Sequence, residues 1–204
     1  MQLKPIDEER LKKYYNQALS KNGPASVRSL HWVQKEHQII RFEILSKIGN
    51  LNNCTVLDAG CGLGDLFFFL TKQYKQVNYT GIDILPEMIE AAKNKYPAAE
   101  FMNLGIHNLK NKYDYILASG ALSFALTEGK SHYYNLIQTM FKMSNKGVAF
   151  NVLNADYVKC NETFFSYSKK EISSVCEKLT PHFRIVSGYE LADFSVYMYK
   201  NNPK

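Results

Sequence analysis

The sequence predicts a three-layer α/β/α sandwich. Its sheet is seven-stranded and mostly parallel, with one antiparallel strand in a C-terminal hairpin. Three observations carry this. From residue 55 onward, short apolar runs alternate with amphipathic helical segments, as right-handed βαβ crossovers require. A glycine-rich turn follows the first apolar run directly. Only Gly188 to Asp193 separates the last two strands, too short a link for a crossover, so that pair must be antiparallel.

The elements follow in order. Residues 7 to 20 place apolar side chains at helical spacing, and Asn22-Gly23-Pro24 stops that helix. Residues 26 to 48 are expected to form one longer amphipathic helix with Ser26 as its N-cap. Expected strands cover Thr55–Ala59, Tyr79–Asp83, Glu100–Asn103, Tyr113–Ala118, Gly147–Leu153, Phe183–Ser187 and Phe194–Tyr199. Helices are expected near 65–74, 86–95, 130–143 and 169–179. Residues 1–50 read as an N-terminal helical cap, and residues 51–204 as the ligand-binding domain.

Composition narrows the function. The chain has 204 residues, a formal net charge of +6 and four cysteines. The cysteines form no CxxC pair, so neither a metal site nor a disulfide framework is expected, and a cytoplasmic location fits. No stretch reaches the roughly 18 to 20 apolar residues of a membrane span, and the N-terminus lacks a secretory signal pattern. The lysines are scattered, so the charge permits a nucleic-acid partner without favouring one. A monomer or homodimer is expected.

The turn VLDAGCGLGD, residues 56–65, is the most informative stretch. Glycines at 60, 62 and 64 let the backbone bend sharply and admit a ligand without a Cβ in the way. The following helix contributes free N–H groups and a positive dipole end. The spacing is GxGxG, and Asp65 stands where the dinucleotide fingerprint has its third glycine. With Asp58 just ahead of the turn, a pyrophosphate would be repelled, whereas an ammonium or sulfonium would be attracted. Asp83 ends the second strand, where an acid can accept hydrogen bonds from ribose hydroxyls. These residues call for an amino-acid-bearing nucleoside rather than a nicotinamide dinucleotide.

Together, VLDAGCGLGD, GIDILPEMIEAAKNKYP, YDYILASGALSF and the closing hairpin resemble the class I S-adenosylmethionine-dependent methyltransferases, over about residues 50 to 200. The resemblance implies a Rossmann-like fold with S-adenosylmethionine as cofactor. Gly60, Cys61 and Gly62 would approach its methionine part, with Asp58 near the amino group. Asp83 would hold the ribose and Ile84 would pack on the adenine. Ser119 and Gly120 would lie beside the methionine part, with Leu122 on the same wall. The family's usual acid for the adenine amino group is replaced by Gly105, so Asn103, or the backbone of Leu104 to Ile106, takes that place.

Methyl transfer from a sulfonium can rest on positioning and on excluding water, so an obvious catalytic dyad is not required. Tyr15, His31 and Tyr157 are the catalytic candidates. Tyr14, Arg28, Trp32, Ser123, Phe124 and Asn154 are the candidates for binding the acceptor, with Arg28 and Trp32 expected on one helical face. Residues 154–168 form a long connection that could act as a lid with an aromatic wall. A histidine at 132 could be a base, but a lone histidine in an amphipathic helix reads as structural first, and Arg41 reads as a pairing residue. No NPPY- or DPPY-like tetrapeptide follows the fourth strand, and no RNA-binding module is appended. A small-molecule acceptor methylated on oxygen or nitrogen is therefore expected, with oxygen ahead. The alternatives are an RNA or protein acceptor, or a non-catalytic cofactor-binding partner subunit.

Overall fold

The computed structural model describes residues 3–31, 34–189 and 191–203. Helix α1, Pro5–Asn22, opens the chain, and Gly23 ends it with a left-handed φ of 73°. A 3-10 turn, Val27–Leu30, precedes α2, Lys35–Ser46. The sheet strands are β1 Thr55–Ala59, β2 Asn78–Asp83, β3 Glu100–Asn103, β4 Tyr113–Ala118, β5 Ser144–Leu153, β6 Phe183–Val186 and β7 Asp193–Tyr199. Between them lie α3 Asp65–Gln73, α4 Pro86–Lys95, α5 Ser131–Met143 and α6 Lys169–Glu177.

The strand order is β3-β2-β1-β4-β5-β7-β6. All pairings are parallel except those of β7, which runs antiparallel to both β5 and β6. This is the seven-stranded sandwich with one reversed strand that the sequence predicts. The order reverses direction at β1, so the carboxyl ends of β1, β2 and β4 lie side by side. Asp58 pairs across with Gly81 on one flank and Leu117 on the other. Open α/β sheets hold their ligands at this switch point.

Side-chain alternation divides the core into two layers. Leu57, Ile116, Val148 and Phe150 face one layer, with α5 and α6 packed over them. Val56, Leu117, Ala149 and Tyr197 face the other, together with Phe42 and Leu45 of α2 and Leu66 and Leu70 of α3. Burying a Leu such as Leu45 fully contributes about 1.5–3 kcal/mol.

The expected single helix over 26–48 is broken. Ser26 does cap, accepting from the Arg28 N–H at 3.3 Å, but it caps only the short turn. His31 then turns left-handed, with φ 59°, and Gln34 is extended before α2 begins. Tertiary packing wins over local propensity here, because the break brings Leu30 down onto the glycine turn. A Cβ on Gly62 would lie 2.8 Å from Leu30 Cδ2.

α2 is fixed firmly to the body. Arg41 Nε donates to Asp193 of β7, a buried pair, and Arg41 Nη1 donates to the His37 carbonyl at 2.9 Å. The Tyr197 hydroxyl donates to the Ile44 carbonyl, and the Tyr74 hydroxyl donates to the Ser46 carbonyl. The polar anchors of α1 run instead to loops. Buried Asp7 accepts from Thr127 N–H and Oγ1, the latter at 2.7 Å. Arg10 donates to the carbonyls of Ala125 and Glu162, each at 2.8 Å.

Candidate active site

The glycine turn is locked to β2 by its own backbone. The Gly60 and Cys61 N–H groups donate to the Ile82 carbonyl at 2.8 and 2.9 Å. The Gly62 N–H donates to Asp83 Oδ2 at 2.9 Å, and the Leu85 N–H donates to Oδ1 at 3.0 Å. Gly60, Gly62 and Gly64 all have positive φ, at 77°, 50° and 76°. An added Cβ at Gly60 would meet Ala121 Cβ at 2.6 Å. The loop after β4 therefore closes on the turn as tightly as glycine allows.

A cavity opens above this turn. Its floor is Asp58–Gly62 from β1, Asp83–Leu85 from β2, Leu104–His107 after β3 and Ser119–Ala121 after β4. Its opposite wall comes from α1 and α5 and the loop between β4 and α5. Leu11 and Tyr15 face Phe124, His132, Tyr133 and Leu136 there.

The site is acidic. Asp58 is buried, and its carboxylate accepts from the Tyr79 hydroxyl at 2.7 Å. Burial pushes its pKa up to about 7, against the lowering effect of that hydrogen bond. Asp83 is also raised by burial, and the N–H groups of Leu85 and Gly62 oppose the shift. Asp65, at the same cavity, is held by Lys95 Nζ at 2.6 Å and the Tyr96 hydroxyl at 2.8 Å. Burial raises the Cys61 thiol well above its ordinary value, so it stays protonated.

The structure brings most of the sequence-predicted residues together. Asp58, Gly60, Cys61, Gly62, Asp83, Ile84, Leu104, Ser119 and Gly120 all line the cavity, as do Tyr15 and Phe124. Ser119 Oγ is buried without a hydrogen-bond partner. The Gly120 N–H donates to Asn151 Oδ1 at 2.7 Å, which fixes the loop.

Other candidates fall elsewhere. The Asn103 amide donates to the Asp83 carbonyl at 2.9 Å and does not reach the cavity wall, so it ties β3 to β2. His31 is exposed and stacks on Tyr14 with ring centroids 3.9 Å apart. Tyr14 sits behind Tyr15, against Phe124 and Phe164, rather than on the wall. Arg28 is exposed on the 3-10 turn and away from the cavity, because the helix that would have aimed it is broken. Trp32 lies outside the described residues. Tyr157 is 73% exposed, on the connection after β5. Ser123 Oγ accepts from the Leu153 N–H at 3.3 Å, which ties the loop after β4 to the end of β5, and Asn154 Oδ1 accepts from the Asp156 N–H at 3.0 Å, which braces a turn. In the connection expected as a lid, Tyr167 is fully buried and its hydroxyl donates to the Leu122 carbonyl at 2.8 Å.

Sequence reasoning missed Leu11, Tyr133 and Leu136, and put a structural role for His132 ahead of a base, although all four line the cavity. On α5 the inward positions 132, 133, 136, 137 and 140 have the ordinary spacing of a core face. Nothing in the sequence separates those that pack on the sheet from those that wall a cavity.

Comparison with known proteins agrees with this architecture. A family model described as "Methyltransferase domain" matches residues 50–194. "Putative methyltransferase Rv1506c" of Mycobacterium tuberculosis is 26% identical over 72% of this chain and 93% of its own length. "Malonyl-[acyl-carrier protein] O-methyltransferase 1" of Ilyobacter polytropus is 26% identical over 93% of this chain and 73% of its own. Among solved structures, magnesium protoporphyrin IX methyltransferase from Synechocystis PCC 6803, with bound S-adenosylmethionine, superposes with a TM-score of 0.72. It is 16% identical, and the match covers 98% of this chain and 100% of that one. The plantazolicin methyltransferase BpumL gives 0.68 at 17% identity, over 94% and 95% of the two chains. With its family match, its reversed seventh strand and its acid-flanked glycine turn, this chain belongs to the methyltransferase domain family, among the class I S-adenosylmethionine-dependent methyltransferases.

Proposed function

We propose that the chain binds S-adenosylmethionine over the Gly60–Gly62 turn and transfers its methyl group to oxygen or nitrogen of a small, largely apolar acceptor. One observation carries the reading: the glycine cradle, flanked by buried Asp58 and half-buried Asp83, opens into a cavity whose far wall is apolar and aromatic.

The residues present fit this cofactor. A buried carboxylate with a raised pKa gains from a cation beside it, and the cofactor's amino group is one. The orphaned Ser119 hydroxyl offers a hydrogen bond to the methionine part. Asp83, at the end of β2, would hold the ribose, and Ile84, Leu85, Leu104 and Ile106, which line the same cavity, would provide an apolar bed for the adenine. With Asn103 turned away, the backbone of Leu104 to Ile106 is the remaining partner for the adenine amino group. When bound, the cofactor supplies an electrophilic methyl carbon on a good leaving group. The chain's own contribution is orientation and the exclusion of water by Leu11, Tyr15, Leu30 and Phe124. The O-methyltransferase among the relatives favours oxygen.

Calorimetric titration with S-adenosylmethionine, S-adenosylhomocysteine and NADH tests the reading. Micromolar binding of both sulfur compounds, without NADH binding, is expected. Absence of binding by either sulfur compound would overturn it.

A further inference from the structure

The cavity's far wall carries a chemistry that the cofactor site does not need. Resting on the reading above, we propose that His132 is the proton acceptor for methyl transfer to an uncharged hydroxyl- or amine-bearing apolar acceptor, seated between Tyr15, Phe124 and Tyr133.

The imidazole is buried on α5 and lines the cavity opposite the glycine turn. Its Nδ1 is shielded from solvent and has no hydrogen-bond partner; the nearest charge is Glu128 Oε2 at 3.8 Å. With Nδ1 turned to that carboxylate, Nε2 is the nitrogen left for a ligand. Two residues on this wall are excluded as bases. Tyr15 and Tyr133 both have phenols pushed far up by burial, so they remain neutral. The Tyr133 hydroxyl is already committed as a donor to the Phe124 carbonyl at 2.8 Å. His132 is the neutral base that remains there. Burial lowers its pKa below the ordinary 6.5, while Glu128 and Asp7 oppose the shift.

Among the described residues, the charges facing the ring are Glu128 on the loop before α5 and Asp7 on α1. Each is partnered in turn, by Lys4 at 3.7 Å and Arg10 at 3.3 Å. A positive imidazolium formed during transfer would thus have a carboxylate within reach. The acceptor class follows from the wall's composition. Among the described residues lining the cavity there is no lysine or arginine, whereas Asp58, Asp65 and Asp83 are all present. A free carboxylate or phosphate on the acceptor would find no side-chain cation lining the cavity.

In balance, the acceptor's oxygen or nitrogen gives its lone pair to the methyl carbon. The carbon–sulfur bond breaks with its electrons returning to sulfur, and the acceptor's proton passes to His132.

The test uses the full chain with isotopically labelled histidine. With S-adenosylhomocysteine bound, 2-naphthol and aniline are added as probes and the ring nitrogens of His132 are followed by NMR. Shifts of the His132 resonances with at least one probe, and not with benzoate, are expected. Labelled methyl transfer from S-adenosylmethionine to the same probes is measured alongside. The rate should fall as pH drops through the His132 pKa, below 6.5. His132→Asn should remove that limb and lower kcat by about 100-fold or more, with S-adenosylhomocysteine affinity within about twofold. Failure of every probe to move the His132 resonances overturns the proposal. So does an unchanged acid limb in His132→Asn, or preferred methylation of benzoate. Loss of S-adenosylhomocysteine binding by the unaltered chain would instead overturn the cofactor reading.

Discussion

Asp58 makes the sharpest test of the cofactor reading, because its pKa ties stability and binding to one carboxylate. Burial moves it from 3.8 to about 7, the half-buried neighbours Asp83 and Asp65 adding to the rise. That gap corresponds to roughly 4 kcal/mol between the charged and neutral states. The folded chain holds this proton more tightly than the unfolded chain does. Stability therefore falls as pH rises from 3.8 to about 7, and the full penalty persists above that. Asp58→Asn removes the charge while leaving an oxygen to accept from the Tyr79 hydroxyl. It should raise the melting temperature by several degrees, at most roughly 8–16 °C, at about pH 8.5, raise it by less than half as much at about pH 5, and leave it nearly unchanged at about pH 3.

Binding should move the other way. An ammonium beside Asp58 would keep the carboxylate ionised, so S-adenosylmethionine should bind with proton release below about pH 7 and without it above. Calorimetry in buffers of different ionisation enthalpy reads this directly. The substitution should weaken S-adenosylmethionine by roughly 10- to 150-fold, the range of a hydrogen bond to a charged group. It should spare 5′-methylthioadenosine, which lacks the amino acid. An equal loss for both ligands, or an affinity in the unaltered chain that ignores pH, would refute the reasoning.

Three other perturbations have defined outcomes. Gly60→Ala combines a φ of 77° with a 2.6 Å approach to Ala121 Cβ; it should cost about 1–3 kcal/mol in denaturant unfolding and at least tenfold in cofactor affinity. Asp7→Ala leaves the Thr127 N–H and hydroxyl without their acceptor. It should cost about 1–3 kcal/mol in the same assay and speed hydrogen exchange along α1. Arg28→Ala, on an exposed turn outside the cavity, should leave melting within about 0.5 kcal/mol of the parent and the acceptor's KM unchanged; a raised KM would return Arg28 to the site.

The sheet was legible because each strand is a short apolar run bounded by turn residues, and β1, β3 and β4 begin and end where the pattern does. The cofactor half of the site was legible for a related reason. Gly60, Gly62 and Asp83 have local jobs, a tight turn and a strand-end acid, which spacing along the chain reveals. The far wall was not. Its residues come from α1, α5 and the loop between β4 and α5, and their convergence depends on the break at His31 and the Asp7–Thr127 contact. Neither leaves a mark in periodicity. Arg28 and Trp32 were paired on the assumption of a continuous helix, and the left-handed His31 removes that assumption.

The different fastenings of α1 and α2 bear on how such a protein could change its acceptor. α2 is riveted to β7 and to the end of α3, so altering it would disturb the folding body. The segment 3–31 grips loop backbone, Thr127 and Glu128 through its polar anchors, while supplying Leu11, Tyr15 and Leu30 to the cavity. Part of the cavity's far wall and its glycine floor thus sit on stretches of chain that can be exchanged separately. A graft of this segment from a relative would be expected to carry specificity with it while inheriting the catalytic floor unchanged.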